Sequence, residues 1–421
     1  MKADKILYNL EEVFSPKDLG RPLRGKEMNE ADILKNAYIA IKDGKILQIG
    51  QGDAYKSLQD EHTKMVDLKG CVATPGLIDA HTHLVYGGSR ENEFAMKLNG
   101  MKYLDILAAG GGILSTLKAT KEASFETLYD KTRNLVEQFM IHGVTAVEAK
   151  SGYGIELDTE VKELEVIKKI NEDLKVELVP TFMAAHVIAE KYKDDPDKYV
   201  DIVIDMMPKI KEKGLAEFCD VFCEKDVFTA EQSKRILEAA RKNGFKLRIH
   251  SDEIADIGGT KVASELKVRS AEHLMVISDE SIKALAENNV IGNLLPGTTF
   301  SLMEDTYAPA RKMLENGMAI TLCTDSNPGS CPTANLQFIM QLGCFALKLT
   351  PIEVFNAVTI NAAYSIDRAK TMGSFEEGKA ANISVFEAKN LDYLLYFFAT
   401  NLCKKVYIDG ELVVDQRQLV K

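Results

Sequence analysis

The segment Pro75-Gly76-Leu77-Ile78-Asp79-Ala80-His81-Thr82-His83 carries two histidines one residue apart. Alternate side chains of an extended strand share a face, so both imidazoles point the same way. Two such rings at a strand's end are well placed to share one cation. They do not complete a site. His250 ends the apolar run 245–250, and Asp325 follows Ala319-Ile320-Thr321-Leu322-Cys323-Thr324. Taken singly, either reads as an ordinary loop or cap residue. Three apolar runs that all end in metal-capable side chains are a much less accidental arrangement. Three imidazoles and one carboxylate suit zinc or ferrous iron better than magnesium or calcium.

The chemistry open to such a set is hydrolysis. A zinc-type ion lowers the pKa of bound water to ~7 and polarises a carbonyl. An amide attacked in this way needs its developing negative charge stabilised and its leaving nitrogen protonated. Asp325 is the candidate to take the water's proton. Glu253, three residues after His250, is the candidate to protonate the leaving nitrogen. His273, closing another apolar run, is the candidate hydrogen-bond partner of the carbonyl oxygen.

Side chains so distant in the chain need a scaffold that gathers strand ends. Apolar runs occur at 77–84, 144–149, 177–185, 216–222, 245–250, 268–274, 288–295 and 318–324. Amphipathic stretches lie between most of them, for instance 125–142, 159–171 and 229–243, the last opening on Thr229, a helix-capping residue type. Eight strands alternating with helices predict an α/β fold, a closed (β/α)8 TIM-like barrel with its active site at the strands' C-terminal ends. An open doubly wound sheet fits the same alternation, but neither G-x-G-x-x-G after the first strand nor G-x-x-x-x-G-K-[ST] is present. The Gly110-Gly111-Gly112 run follows an apparent helix and reads as a flexible loop.

The two ends of the chain are different. Residues 37–49 read as a hairpin turning at Asp43-Gly44, residues 383–386 as a strand, and 405–414 as a hairpin turning at Asp409-Gly410. These predict a small β-sandwich-like domain built from 1–74 and 375–421 together, around a barrel spanning 75–374.

Composition narrows the function class. A net charge of −11 disfavours nucleic acid and acidic membrane surfaces, and says little about a small anionic substrate. The seven cysteines form no C-x-x-C pair; Cys219 and Cys223 lack a second pair to complete a zinc site, so reduced thiols are expected. Residues 1–14 contain Asp4, Glu11 and Glu12 and do not read as a signal peptide, and 391–403 is too short to span a bilayer. Cytoplasm is the expected compartment.

The segment from Pro75 to His83 resembles the metal motif of the amidohydrolase superfamily, with His250, His273 and Asp325 where that family has its other site residues. The similarity covers essentially the whole chain. It rests also on Tyr86-Gly87-Gly88-Ser89-Arg90, Lys150-Ser151-Gly152-Tyr153-Gly154, Ala184-Ala185-His186, His250-Ser251-Asp252-Glu253 and Asp325-Ser326-Asn327-Pro328-Gly329-Ser330. This combination is similar to the branch that hydrolyses 4-imidazolone-5-propanoate to N-formimidoyl-L-glutamate in histidine degradation. The resemblance implies one divalent metal, Zn2+ or Fe2+/Fe3+, held by His81, His83, His250 and Asp325. It implies that Arg90, Tyr153 and His186 hold the substrate, Arg90 by a two-pronged contact with the propionate. It also implies that Glu253 meets the ring, that Asn327, Gly329 and Ser330 contact substrate or product, and that the chain forms a homodimer, for which the apolar stretch 393–398 is a candidate contact.

Blander readings stand beside these. Alone, Arg90 is a solvated loop arginine, Tyr153 a turn aromatic, and His186 a satisfied barrel histidine; His62 and His142 have no motif context and are read as structural. Lys150 raises the question of a carbamylated bridge between two metals. It ends the second strand, whereas such bridges usually come from the fourth, whose end Val221-Phe222-Cys223-Glu224-Lys225 offers no clear candidate. A single metal is expected. The rival functions are a related deaminase acting on a nucleobase-like ring, which has no need of Arg90 and His186 for a carboxylate, and a barrel scaffold without catalysis, which the complete ligand set disfavours.

Overall fold

The computed structural model describes residues 1–101 and 111–420, so Gly110 of the triple-glycine run lies outside the described residues. Eight parallel strands follow one another in spatial order: Leu77–Asp79, Val144–Lys150, Glu177–Ala185, Phe218–Cys223, Lys246–Ser251, Ser270–His273, Ile291–Leu294 and Ala319–Leu322. A parallel bridge between Thr82 and Ser326 brings the first and last together beyond their strand ends, and the (β/α)8 barrel closes. The strands are buried along almost their whole length, because the barrel interior covers one face and the helices the other. That is why they read as near-continuous apolar runs rather than alternating ones.

The helices sit where periodicity places them, at Phe125–Ile141, Leu157–Asp173 and Ala230–Lys242. Thr229 accepts a hydrogen bond from the Gln232 amide, and the Gln232 side chain returns one to the Thr229 amide. Such reciprocal capping satisfies amides that a helix start otherwise leaves unpaired. Leu128, Val136, Leu164, Ile167, Ile236 and Leu237 face the strands and join one continuous barrel core.

The chain's two ends meet in one nine-stranded sheet. Its middle is Val72–Pro75, which pairs with Lys5–Pro16 on one side and Ile383–Phe386 on the other. The sheet curls on itself: Lys45 bridges Ala380, and the Ala381 amide donates to the Gly44 carbonyl. Leu7, Leu10, Ile39 and Ile41 from the first part of the chain thus share a core with Ile383, Val385 and Tyr407 from the last. Both hairpin tips take left-handed backbone at two successive residues, Asp43-Gly44 and Asp409-Gly410. Asp-Gly tolerates that conformation, which matches the twist of the flanking strands. The pairing of Val72–Pro75 leads directly into the first barrel strand, so the terminal sheet anchors the segment that carries His81 and His83.

Candidate active site

His81 and His83 lie just past the first barrel strand, and backbone bonds to the eighth strand's loop hold them. The His83 amide donates to the Ser326 carbonyl at 2.9 Å, and the Asp325 amide donates to the His81 carbonyl at 3.1 Å. The two imidazoles therefore face Asp325 together. Asp325 Oδ1 lies 3.4 Å from His81 Nε2 and 3.6 Å from His83 Nε2. His250, near the end of the fifth strand, brings its Nε2 to 3.4 Å from His83 Nε2. Metal-ligating atoms of His81, His83 and Asp325 lie within 4.8 Å of one another, as do those of His81, His250 and His273.

These donors fit a cation. All are buried, and burial holds His81 and His83 well below the ordinary histidine pKa, with the positive charge of Lys150 adding to the effect. Neutral imidazoles keep a nitrogen lone pair free for a metal. His81 Nε2 has no hydrogen-bond partner despite full burial. A polar atom left bare in such a place costs about 1–3 kcal/mol, and a metal ion removes that cost.

Asp325 is held in a left-handed backbone conformation with φ of 55°. Thr298 Oγ1 donates to its Oδ2 at 2.6 Å, and Asn327 Nδ2 at 3.1 Å. Oδ2 is thus occupied, which leaves Oδ1 facing the histidines. The side chain of Asn327 is engaged at both ends: Nδ2 also donates to Ser330 Oγ, and Oδ1 accepts from the Gly329 and Ser330 amides, each at 2.8 Å. Asn327 and Ser330, the expected substrate contacts, also build the loop that aims Asp325.

Glu253 and His273 face each other across the mouth, with His273 Nε2 3.6 Å from Glu253 Oε2. Glu224, at the end of the fourth strand, accepts from the Ile254 and Ala255 amides and so fixes the loop that presents Glu253. Burial, then the charges of Asp325 and Glu224, push the Glu253 carboxyl up to about 8. Burial pushes Asp325 to about 6.

His186 stacks on His83 with ring centroids 4.8 Å apart, and Tyr153 packs against His186 at 5.3 Å. Buried Glu163 accepts from the Tyr153 amide, and buried Glu160 from the amides of Gly154 and Ile155, so two carboxyls shape the Tyr153 loop. Arg90 reaches the loop after the eighth strand: a Cβ on Gly329 would lie 2.0 Å from Arg90 Nη1. Nε and Nη2 of Arg90 both donate to Glu93 Oε2, and Glu93 Oε1 accepts from the Gly112 amide. A two-pronged contact with an incoming carboxylate therefore has to use the Nη1 side of the guanidinium. His62 is exposed on the surface, and His142 caps a helix with Nδ1 beside the Gln138 carbonyl; neither joins the cluster.

Sequence reasoning missed the charged residues inside the barrel, namely Glu148, Asp220, Arg248 and Glu272, and the roles of Glu93, Glu224 and Thr298. A signal existed for the first group. Arg248 and His250 are two apart on one strand, as are Glu148 and Lys150, so a charge on a buried strand can mark the face that carries the site.

Residues 72–413 match the model of the amidohydrolase family. The chain is 61% identical over 421 residues, all of both chains, to the imidazolonepropionase of Streptococcus sanguinis strain SK36. It is equally similar, at 61% over the full length of both, to the imidazolonepropionase of Streptococcus gordonii. Among solved structures, an adenosine deaminase from Xanthomonas campestris with bound zinc superposes with a TM-score of 0.72 at 16% identity, covering 100% of this chain and 94% of that one. At that identity the superposition speaks for the barrel architecture alone. The full-length identity and the family model together establish that the chain belongs to the amidohydrolase family, as one of its imidazolonepropionases.

Proposed function

We propose that the chain is a metal-dependent hydrolase that opens the cyclic amide of 4-imidazolone-5-propanoate to N-formimidoyl-L-glutamate in histidine degradation. Within the geometry, the reading is carried by one observation: His81 Nε2, buried and unpartnered, faces Asp325 Oδ1 beside His83 and His250. We assign His81, His83, His250 and Asp325 as ligands of one divalent ion, Zn2+ or iron, because imidazole nitrogens favour these over harder cations. Held there, the ion supplies Lewis acidity, acidifying water and polarising the carbonyl.

The two carboxyls divide the proton work, since their pKa values are pushed apart. Asp325, at about 6, is ionised at neutral pH and accepts the water's proton. Glu253, at about 8, is protonated at neutral pH and delivers a proton to the ring nitrogen as the C–N bond breaks. Burial keeps His273 neutral, and an imidazole N–H hydrogen-bonds the carbonyl oxygen as charge builds on it. Tyr153, held un-ionised by burial, and His186 position the substrate, while Arg90 takes the propionate. Asn327, Gly329 and Ser330 contact substrate or product from the loop after the eighth strand, where Asn327 also braces Asp325. The domain division at 74/75 and 374/375 belongs to the same reading.

The direct test supplies 4-imidazolone-5-propanoate to purified, metal-analysed protein and follows product. Turnover is expected; activity on neutral nucleobases in its place would favour the deaminase reading, and a metal-free protein with no hydrolysis the scaffold one. Replacing Arg90 with alanine removes charge-assisted hydrogen bonds of about 1.5–3 kcal/mol. KM should rise ~10–100-fold with kcat much less affected, and Arg90→Lys should not restore it, because a point charge lacks the planar fork. Steady-state kinetics showing an unchanged KM would remove Arg90 from the substrate site.

Proton linkage gives a further expected result. Folding raises the pKa of Asp325 and Glu253 above ordinary carboxylate values, so the metal-free fold favours their protonated forms. That contribution is complete below about pH 4 and fades as pH rises through about 6 and then 8. A divalent ion takes Asp325 ionised, so zinc should raise Tm little at pH 5 and more toward pH 8. Thermal melts at both pH values check this; equal zinc-induced shifts would contradict it.

The cytoplasm is the compartment we assign: all seven cysteines are free thiols. No helix among the described residues is long and apolar enough to cross a membrane. The homodimer contact we assign is the apolar stretch 393–398, where Tyr396 and Phe398 are exposed and Phe398 meets exposed Phe345 edge to face. Sedimentation at the mass of one chain would remove the dimer.

A further inference from the structure

Behind the ligand imidazoles lies a fully buried layer of charge that the hydrolytic steps leave unused. His81 Nδ1 is 2.9 Å from Glu272 Oε2, and His250 Nδ1 is 3.0 Å from Asp220 Oδ1. Each carboxylate has its own buried cation. Lys150 Nζ lies 3.2 Å from Asp220 Oδ2 and donates to both Glu148 oxygens at 2.8 Å. Arg248 Nη1 lies 3.5 Å from Glu272 Oε1, to which Ser270 also donates. Arg248 is tied further to the carbonyls of Ala80, at 3.1 Å, and Ser365, at 2.8 Å. Ala80 directly precedes His81, so this guanidinium fixes both the backbone and the far nitrogen of that ligand. The contrast within the site is sharp: Nδ1 of His83 and of His273 are buried without a hydrogen-bond partner.

We propose that Glu272 and Asp220 are positioning residues that hold His81 and His250 as Nδ1–H tautomers, with Arg248 and Lys150 as the cations that keep those carboxylates in place. A neutral imidazole carries one N–H. Donated to a carboxylate at Nδ1, it leaves Nε2 with its lone pair, which in His81 faces Asp325 Oδ1 and in His250 lies toward His83. Two of the three ligand imidazoles are thus set for a cation before it arrives, and the third, His83, settles around it. The geometry gives Lys150 a purpose other than bridging metals: with its ammonium held by Glu148 and Asp220, it serves as a counter-charge. Paired carboxylate and cation are both necessary, since an isolated buried charge of either sign is strongly disfavoured.

This inference rests on the metal-site reading above, and the test separates the two. Zinc affinity is measured at fixed pH by competition with a chromophoric chelator, for the unmodified chain, Asp220→Asn and Glu272→Gln. The metal-free Tm of each is recorded alongside. Both variants keep side-chain shape but lose a charged acceptor, and each should weaken zinc binding ~10–100-fold with a metal-free Tm close to that of the unmodified chain. Tight zinc binding by the unmodified chain with unchanged affinity in both variants overturns the inference alone. No zinc binding by the unmodified chain overturns the metal site itself. Should the variants fail to fold, nitrogen-15 histidine NMR on the unmodified metal-free chain decides. It should show two imidazoles protonated at Nδ1 and bare at Nε2, assigned to His81 and His250; protonation of these two at Nε2 contradicts the inference.

Discussion

Asp325→Asn should abolish measurable turnover and strip the chain of tightly held metal in one step. Asparagine matches aspartate in shape but carries a donor where the site requires an acceptor on both sides. With its amide nitrogen at the Oδ2 position, it faces Asn327 Nδ2, a donor now 3.1 Å away. Turned over, it places N–H groups at the Oδ1 position, 3.4 and 3.6 Å from the Nε2 atoms of His81 and His83. It would then occupy the lone pairs a cation needs. Neither orientation replaces the ligand charge or accepts the water's proton. Loss of the base alone is worth ~10²–10⁴ in rate, and loss of metal adds to it. Metal analysis and assay on the same preparation check both parts. Full metal content with near-normal turnover would take Asp325 out of the site.

Glu253→Gln should instead separate binding from chemistry. Glu253 stands opposite His273 rather than among the proposed ligands, and Glu224 fixes its loop through backbone amides that the substitution leaves alone. Metal content and Tm should therefore stay near those of the unmodified chain. Turnover should fall ~10²–10⁴-fold, because glutamine keeps the shape and has no acidic proton to give the leaving nitrogen. The fall should appear in kcat with little change in KM, as for an interaction made chiefly in the transition state. Near-normal turnover would remove the proton-transfer role.

These two residues illustrate what the sequence makes legible. Asp325 and Glu253 were visible because each follows an apolar strand that ends in a polar group, the signature of a barrel mouth. The eight runs also placed the eight strands, because strands buried on both faces read as near-continuous apolar runs set between amphipathic helices. The partners of Arg248, Asp220 and Glu272 were not legible, because a charge inside a strand marks a face but carries no label of what it meets. The partner of Asp220 is Lys150, seventy residues away, and that of His81 is Glu272, on the far side of the barrel sequence. Asn327 was visible as a polar loop residue, but its target was not: the loop's turn directs both ends of its amide inward, to Asp325 and the loop's own backbone. The terminal sheet sits between these cases. Its Asp-Gly turns were readable locally, whereas the parallel pairing of Val72–Pro75 with Lys5–Pro16 depends on contacts sixty residues apart.

The central claim is that His81, His83, His250 and Asp325 converge on a single divalent ion. Anomalous X-ray diffraction from crystals of the metal-loaded chain, collected on either side of the zinc and iron absorption edges, tests it most directly. One anomalous peak per chain is predicted, within bonding distance of Nε2 of the three histidines and Oδ1 of Asp325. A peak held by other side chains, or a pair of peaks bridged by Lys150, would contradict it.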